Sequence, residues 1–199
     1  MEKRNFTKVS LANVAILVTL SLILCSCAGT SAGRTVTETQ TGSYSAPPPV
    51  STDPDEAKYN ALLGVAAMKN GDWDTAVKFL EKSVDKSPGY QKSQYQEMLG
   101  RIYGGRGAER IQQGYTSSGI SDLEKALSLV NDREYQIQGR EALGLVYGQR
   151  GISFVQNGDY SPKNLKSAIR DLETGITYVQ DSDTRAKFNQ ILALLYTLL

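Results

Sequence analysis

One frame of residues occurs twice in this chain, and it restricts the fold more than any other feature. Leu99-Gly100-Arg101-Ile102-Tyr103-Gly104-Gly105-Arg106-Gly107, continuing to Gln112-Gln113-Gly114, returns as Leu143-Gly144-Leu145-Val146-Tyr147-Gly148-Gln149-Arg150-Gly151, continuing to Gln156-Asn157-Gly158, with matched residues 44 positions apart (143 − 99). An internal repeat of this kind marks a supersecondary unit that stacks on copies of itself, because one unit alone cannot bury its apolar face. In each copy three glycines, Gly100, Gly104 and Gly107 or Gly144, Gly148 and Gly151, fall at i, i+4 and i+7 on one helical stripe. Interior glycine costs roughly 1 kcal/mol against alanine, so the stripes predict that another helix approaches unusually near.

Apolar periodicity and punctuation extend the helical pattern from residue 53 to residue 199 and predict an all-α fold. Thr52-Asp53-Pro54 reads as a helix start, Leu62, Leu63, Val65, Ala66 and Ala67 as its apolar face, and Asn70-Gly71-Asp72 as its end. A second helix carries Ala76, Leu80 and Val84 inward and stops at Ser87-Pro88-Gly89. The turn Asn70-Gly71-Asp72-Trp73 reappears as Asn157-Gly158-Asp159-Tyr160, seven residues later than the repeat frame requires. Seven residues rotate a helical face by only about 20°, so the two copies of the frame are expected on long helices reaching about Gly114 and Gly158. The alternative ends them at Gly107 and Gly151. Residues 162–179 form the next helix, with Leu165, Ala168, Ile169, Leu172 and Ile176 on one face, and 183–199 a last one with Phe188, Ile191, Leu192, Leu195 and Leu199 inward. Leu194 and Leu198 widen that final stripe, which leaves self-association through this helix as one expectation and a cap curling into the last groove as the other.

Leu63-Gly64, Ala67, Gly71, Trp73, Ala76, Leu80, Ser83 and Pro88 fall at the spacings of the tetratricopeptide repeat, and the chain resembles that family. Leu99-Gly100, Tyr103, Leu123 and Ala126 continue the register, as do Leu143-Gly144, Tyr147, Ala168 and Leu172, so the likeness covers residues 55–179. Ser83 stands where the family usually has alanine, and Ala67 where it has tyrosine. The resemblance implies a TPR-like α-solenoid of about three helical hairpins plus a C-terminal capping helix, with a concave groove that binds segments of other proteins. Carried over by register, that groove shows Lys58, Ala61, Val65 and Met68, then Gln94, Glu97, Arg101 and Gly105, then Gln138, Glu141, Leu145 and Gln149. Repeated polar residues, Gln94 with Gln138 and Glu97 with Glu141, have no packing reason to recur, although Glu97 and Arg101 also suit an ordinary i, i+4 helix pair.

The first residues have a different character. Residues 1–10 are polar and basic, and 11–24 are nearly all apolar, which is the pattern of a secretory signal and shorter than the roughly 20 apolar residues of a membrane span. Leu24-Cys25-Ser26-Cys27 then resembles the lipobox of bacterial lipoproteins, which implies a signal peptide over 1–26 and lipidation at Cys27. Ala28 after the cysteine, where aspartate favours inner-membrane retention in that family, implies an outer-membrane anchor facing the periplasm. Residues 28–52 are rich in Ser, Thr, Gly and Gln with Pro47-Pro48-Pro49 and read as a disordered tether, so 27–52 links the anchor to a helical domain over 53–199. As a flexible coil this tether would span roughly 28 Å root-mean-square.

Chemistry is sparse. The chain has no histidine, and Lys and Arg number 22 against 21 Asp and Glu, so neither a histidine base nor a nucleic-acid partner is expected. Gly104-Gly105-Arg106-Gly107 follows no strand, which a phosphate loop requires, and Gly29-Thr30-Ser31-Ala32-Gly33 lacks the strand-turn-helix setting of a nucleophile elbow. Glu97, Glu109 and Glu141 have no second carboxylate at catalytic spacing, and no metal set, cofactor or enzymatic activity is expected. The leading expectation is an envelope scaffold binding a protein or peptide segment. An assembly lipoprotein resembling pilotins is the alternative, and an envelope enzyme is the third class.

Overall fold

The computed structural model describes residues 54–199 apart from 88 and 157. The expected signal peptide over 1–26, the expected lipidation site Cys27, the expected tether over 28–52, the expected helix start at Thr52-Asp53, and Pro88 and Asn157 lie outside the described residues. Among the described residues, all regular structure is helical: α1 (Pro54–Lys69), α2 (Trp73–Lys86), α3 (Gly89–Gln112), α4 (Thr116–Leu129), α5 (Arg133–Ser153), α6 (Pro162–Tyr178) and α7 (Ser182–Leu198).

Local chemistry sets the helix boundaries. The side chains of Asp72, Asp132, Ser161 and Asp181 accept hydrogen bonds from the backbone N–H of Thr75, Tyr135, Asn164 and Thr184, capping α2, α5, α6 and α7. The bonds from Thr184 hold the Asp181 carboxyl below its usual range. At the ends of α1 and α3, Gly71 and Gly114 have φ of 76° and 86°, which L side chains rarely adopt. The following amides, Asp72 N and Tyr115 N, reach back to Ala67 O at 3.0 Å and Arg110 O at 2.8 Å, closing both helices in the same left-handed cap.

The expected long helix is present in α3, which runs through Gly107 to Gln112. Its counterpart α5 passes Gly151 but stops at Ser153, short of Gly158. There the amide of Val155 tightens onto Ile152 O at 3.1 Å, and Phe154 and Val155 pack beside the apolar cluster around Leu172. Those two side chains are partly buried where the helix ends, whereas the corresponding Arg110 and Ile111 stay helical.

Each helix packs chiefly on its chain neighbours: α1 on α2, α3 on α4 and α5 on α6 as hairpins, with α2–α3, α4–α5 and α6–α7 joining them. The cores lie at these joins. Ala76, Val77 and Leu80 meet Leu99, Ile102 and Tyr103; Ile120 and Leu123 meet Leu143 and Val146; Leu165, Ala168, Ile169 and Leu172 meet Phe188, Leu192 and Leu195.

Two expected faces are corrected. In α1 the buried residues are Ala57, Asn60, Ala61 and Gly64, whereas Leu62 is 62% exposed and Ala66 is exposed, because the side turned to α2 is the small-residue one. Leu199 is 61% exposed and not inward, since it follows the last helical residue, although Phe188, Leu192 and Leu195 are buried as expected.

The glycine stripes divide their work. A Cβ at Gly144 would lie 2.6 Å from Val179 Cγ2 and 2.9 Å from Gly175 O, and one at Gly151 2.9 Å from Ala168 O, so both admit the backbone of α6. Gly100 and Gly107 admit α4 in the same way. The middle glycines are sockets instead: Gly104 receives the ring end of Tyr135 from α5, and Gly148 receives Phe188 from α7. Close approach is therefore to the hairpin partner at two positions and to the next hairpin's aromatic at the third.

Candidate functional site

The groove residues expected from the repeat register are distributed over α1, α3 and α5. Gln94, Arg101, Gln138 and Gln149 are exposed, and Glu97, Glu141 and Leu145 are half-buried. Arg101 Nη2 donates to Glu97 Oε1 at 3.0 Å within α3, and Gln138 Nε2 donates to Glu134 Oε1 at 3.0 Å within α5. The Arg101 guanidinium also lies 5.3 Å from the centre of the Tyr135 ring, which links α3 to α5. Glu141 has a structural partner, because its Oε2 accepts the Gln180 amide at 2.6 Å and ties the α6–α7 connection to α5. Leu145 packs against the core between α6 and α7, Ala61 is 5% exposed in the first core, and the Trp73 ring covers Gly105. The open polar part of the register is thus Lys58, Gln94, Arg101, Gln138 and Gln149.

Two polar junctions recur, the first between hairpins and the second within them. The Tyr103 hydroxyl donates to Glu81 Oε1 at 2.7 Å, Tyr147 to Glu124 Oε1 at 2.7 Å, and Tyr196 to Glu173 Oε1 at 2.5 Å. Burial, reinforced by the bond to Glu81, pushes the Tyr103 phenol up to about 12. Burial and the Glu124 bond raise Tyr147 as well, and the Glu173 bond raises Tyr196. The second junction is bidentate: Arg106 Nε and Nη2 each lie 2.8 Å from the Asp122 carboxylate, and Arg150 Nε and Nη2 lie 2.6 and 2.8 Å from that of Asp171. These hydrogen bonds hold both guanidiniums further above their ordinary value. The same arginines stand 5.1 Å from the ring centres of Tyr103 and Tyr147, so each Tyr–Arg pair acts as one unit.

Only half of these junctions is visible in the doubled frame, which contains the tyrosine and the arginine. The acidic halves belong to a second repeat, Ile120-Ser121-Asp122-Leu123-Glu124 and Ile169-Arg170-Asp171-Leu172-Glu173, displaced by 49 positions (171 − 122). That signal was available in the sequence at a different spacing. The Tyr196–Glu173 bond gives α7 the place that α3 and α5 occupy, with Leu192 and Ala193 standing where they have Leu99-Gly100 and Leu143-Gly144. Ala193 is exposed, whereas Gly144 is buried against α6.

The most charged part of the described structure lies where α2, α3 and α4 meet. Beyond the Arg106–Asp122 pair, Arg110 Nη1 donates to Asp122 Oδ2 at 2.8 Å, and Asp74 Oδ1 accepts from Arg106 Nη1 at 2.6 Å and Arg110 Nη2 at 3.2 Å. A cavity of about 390 Å³ opens here between α3 and α4, and one of about 180 Å³ toward the start of α2. No group of three or more His, Cys, Asp or Glu among the described residues is arranged to hold a metal, and none of the described helices is long and apolar enough to cross a membrane. No protein-family model and no curated protein matches the chain.

Proposed function

We propose that this protein is a lipid-anchored scaffold of the bacterial envelope, held to the outer membrane through Cys27, whose helical domain is a TPR-like solenoid that binds a segment of another envelope protein. The observation that carries the reading is the recurrence of the same Tyr–Glu bond between successive hairpins, with the same Arg–Asp pair inside the second and third, as suits a stacked array that keeps one register. Such an array presents the outward faces of its first helices side by side. Here those faces carry Gln94, Arg101, Gln138 and Gln149, polar side chains that are open to solvent and suited to hydrogen bonding with an extended backbone. The work of the domain in this reading is binding, with no chemical step.

The test is capture from detergent-solubilised membranes with the tagged full chain, comparing wild type with Arg101→Glu combined with Gln138→Lys and Gln149→Glu. A defined co-purifying protein should be lost in the variant while the helical spectrum stays the same. Retention of that protein overturns the assignment of the face. Cys27→Ser should abolish lipid labelling and leave unprocessed precursor; normal labelling would remove the anchor from the proposal.

A further inference from the structure

The third hairpin shows what the Arg–Asp junction needs for packing: one arginine, Arg150, and one nearly buried aspartate, Asp171. The second hairpin carries more than that. Arg110 stands where the third has Phe154, and Lys125 where it has Thr174, so two further cations surround the Arg106–Asp122 pair. Asp122 is 4% exposed in its side chain and is already engaged by both guanidiniums. The remaining positive charge is met from outside by Asp74, whose side chain is 76% exposed and whose single oxygen Oδ1 receives both Arg106 Nη1 and Arg110 Nη2. In the third hairpin the place of Asp74 is held by Ser117, a neutral hydroxyl 3.3 Å from Arg150 Nη1, and the junction forms all the same. Asp74 is therefore a carboxylate seated on the outer side of a two-arginine fork that packing does not require.

Open space adjoins the fork on both sides. The smaller cavity sets Asp72, Asp74 and Glu109 against the two arginines, and this excess of carboxylates disfavours an anion. The larger one is lined by Ser117, Ser118, Ser121, Asp122 and Lys125 together with the two arginines, so three cations stand against one carboxylate, and hydroxyl and ammonium donors lie along the approach. We propose that Arg106 and Arg110 form a receptor for a carboxylate on an acidic segment of a partner polypeptide, and that Asp74 is an internal ligand which that carboxylate displaces. An exposed ion pair such as that of Asp74 contributes little to stability, so its displacement is cheap. The incoming carboxylate gains charge-assisted hydrogen bonds from two planar guanidiniums already fixed by Asp122. The inference rests on the reading of the domain as a polypeptide-binding array, but it concerns the α2–α3–α4 junction and not the face bearing Arg101 and Gln138.

The experiment is fluorescence anisotropy of a labelled hexaglutamate peptide with the full chain in detergent at low salt. Asp74→Asn should bind about tenfold more tightly than wild type, equivalent to about 1.4 kcal/mol, because the internal competitor has lost its charge. Arg110→Gln should abolish the binding with an unchanged helical spectrum. Asp74 is exposed, so the first variant reports even where the second loses stability. Equal affinity of Asp74→Asn and wild type overturns the proposal, as does peptide binding by folded Arg110→Gln. Displacement of the peptide by inorganic phosphate at much lower concentration than by acetate overturns the choice of carboxylate. Loss of partner capture in the Arg101 variant combined with unaltered peptide affinity in Asp74→Asn would sink the receptor alone, and the reverse pattern would sink the face alone.

Discussion

The Tyr147 hydroxyl lies 2.7 Å from Glu124 Oε1 across the boundary between α4 and α5, and Tyr103 repeats the bond to Glu81 across the boundary between α2 and α3 at the same distance. A phenol held this way must stay protonated to donate. Its partner carboxylate is an exposed acceptor on the preceding hairpin, so the bond fixes how far one hairpin rotates on the next.

Tyr103 makes this junction pH-sensitive in a defined direction. Its folded value of about 12 lies above the unfolded value of 10.0, so the contribution is complete below pH 10 and is lost as the pH climbs toward 12. Tyr103→Phe should cost about 0.5–1.5 kcal/mol at neutral pH, the usual worth of one such hydrogen bond. Denaturant titrations of wild type and Tyr103→Phe in parallel should show the gap closing between pH 10 and 12. A gap that stays constant through that range would mean the hydroxyl does not donate to Glu81.

The glycines separate by what their missing methyl would strike. At Gly144 it would meet backbone atoms, Gly175 O and Val179 N, both at 2.9 Å, and these cannot move without separating α5 from α6. Gly144→Ala should destabilise by about 1–3 kcal/mol, the range of core overpacking. At Gly139 the near neighbour is Leu127 Cδ2 at 2.7 Å, the flexible end of a side chain. Gly139→Ala should be neutral or gain up to about 1 kcal/mol of helix propensity. Urea midpoints that rank the two variants the other way would contradict the close packing.

The salt bridges should separate as sharply. Arg150 and Asp171 have side chains only 23% and 8% exposed, whereas Arg101 and Glu97 are 49% and 39% exposed. Asp171→Ala leaves a guanidinium without its bidentate partner and should cost ~2–4 kcal/mol, near the range for broken buried pairs. Glu97→Ala should cost at most ~0.5 kcal/mol, as exposed i, i+4 pairs do. Thermal unfolding of the two variants measures the difference directly, and similar losses would mean that the Arg–Asp junction between α5 and α6 adds little to the fold.

Helix type and order were legible because Asn70-Gly71-Asp72, Gly114 and the apolar periodicity are local signals, and local signals set helix boundaries. The end of α5 was not legible. Gly158 repeats the glycine that closes α3, but Phe154 and Val155 turn into the core between α6 and α7, a tertiary gain that no local pattern encodes. The face of α1 was misjudged for a related reason: Leu62 is the larger residue, yet Ala57, Ala61 and Gly64 let α2 approach, and proximity won over hydrophobicity. The glycine stripes predicted close contact correctly. They could not reveal that Gly104 and Gly148 accept an aromatic from the following hairpin, because Tyr135 and Phe188 sit at unrelated offsets from them. The Arg–Asp junctions stayed hidden because their two halves repeat at different spacings, 44 for the first helices and 49 for the second.

Glu141 shows how the structure redirects a test that sequence alone would design badly. As a repeat of Glu97 it reads as a groove residue, but its Oε2 accepts the Gln180 amide at 2.6 Å and anchors the connection from α6 to α7. Glu141→Ala should therefore lower the melting temperature by several degrees, consistent with about 1–2 kcal/mol for an amide–carboxylate bond in a domain of this size. Gln138→Ala, one turn earlier and exposed, should leave it within a degree because its partner Glu134 lies on the same helix. Amide hydrogen exchange at Gln180 gives the local readout: protection should fall in Glu141→Ala and persist in Gln138→Ala. Equal protection in both variants would return Glu141 to the set of residues free to bind a partner.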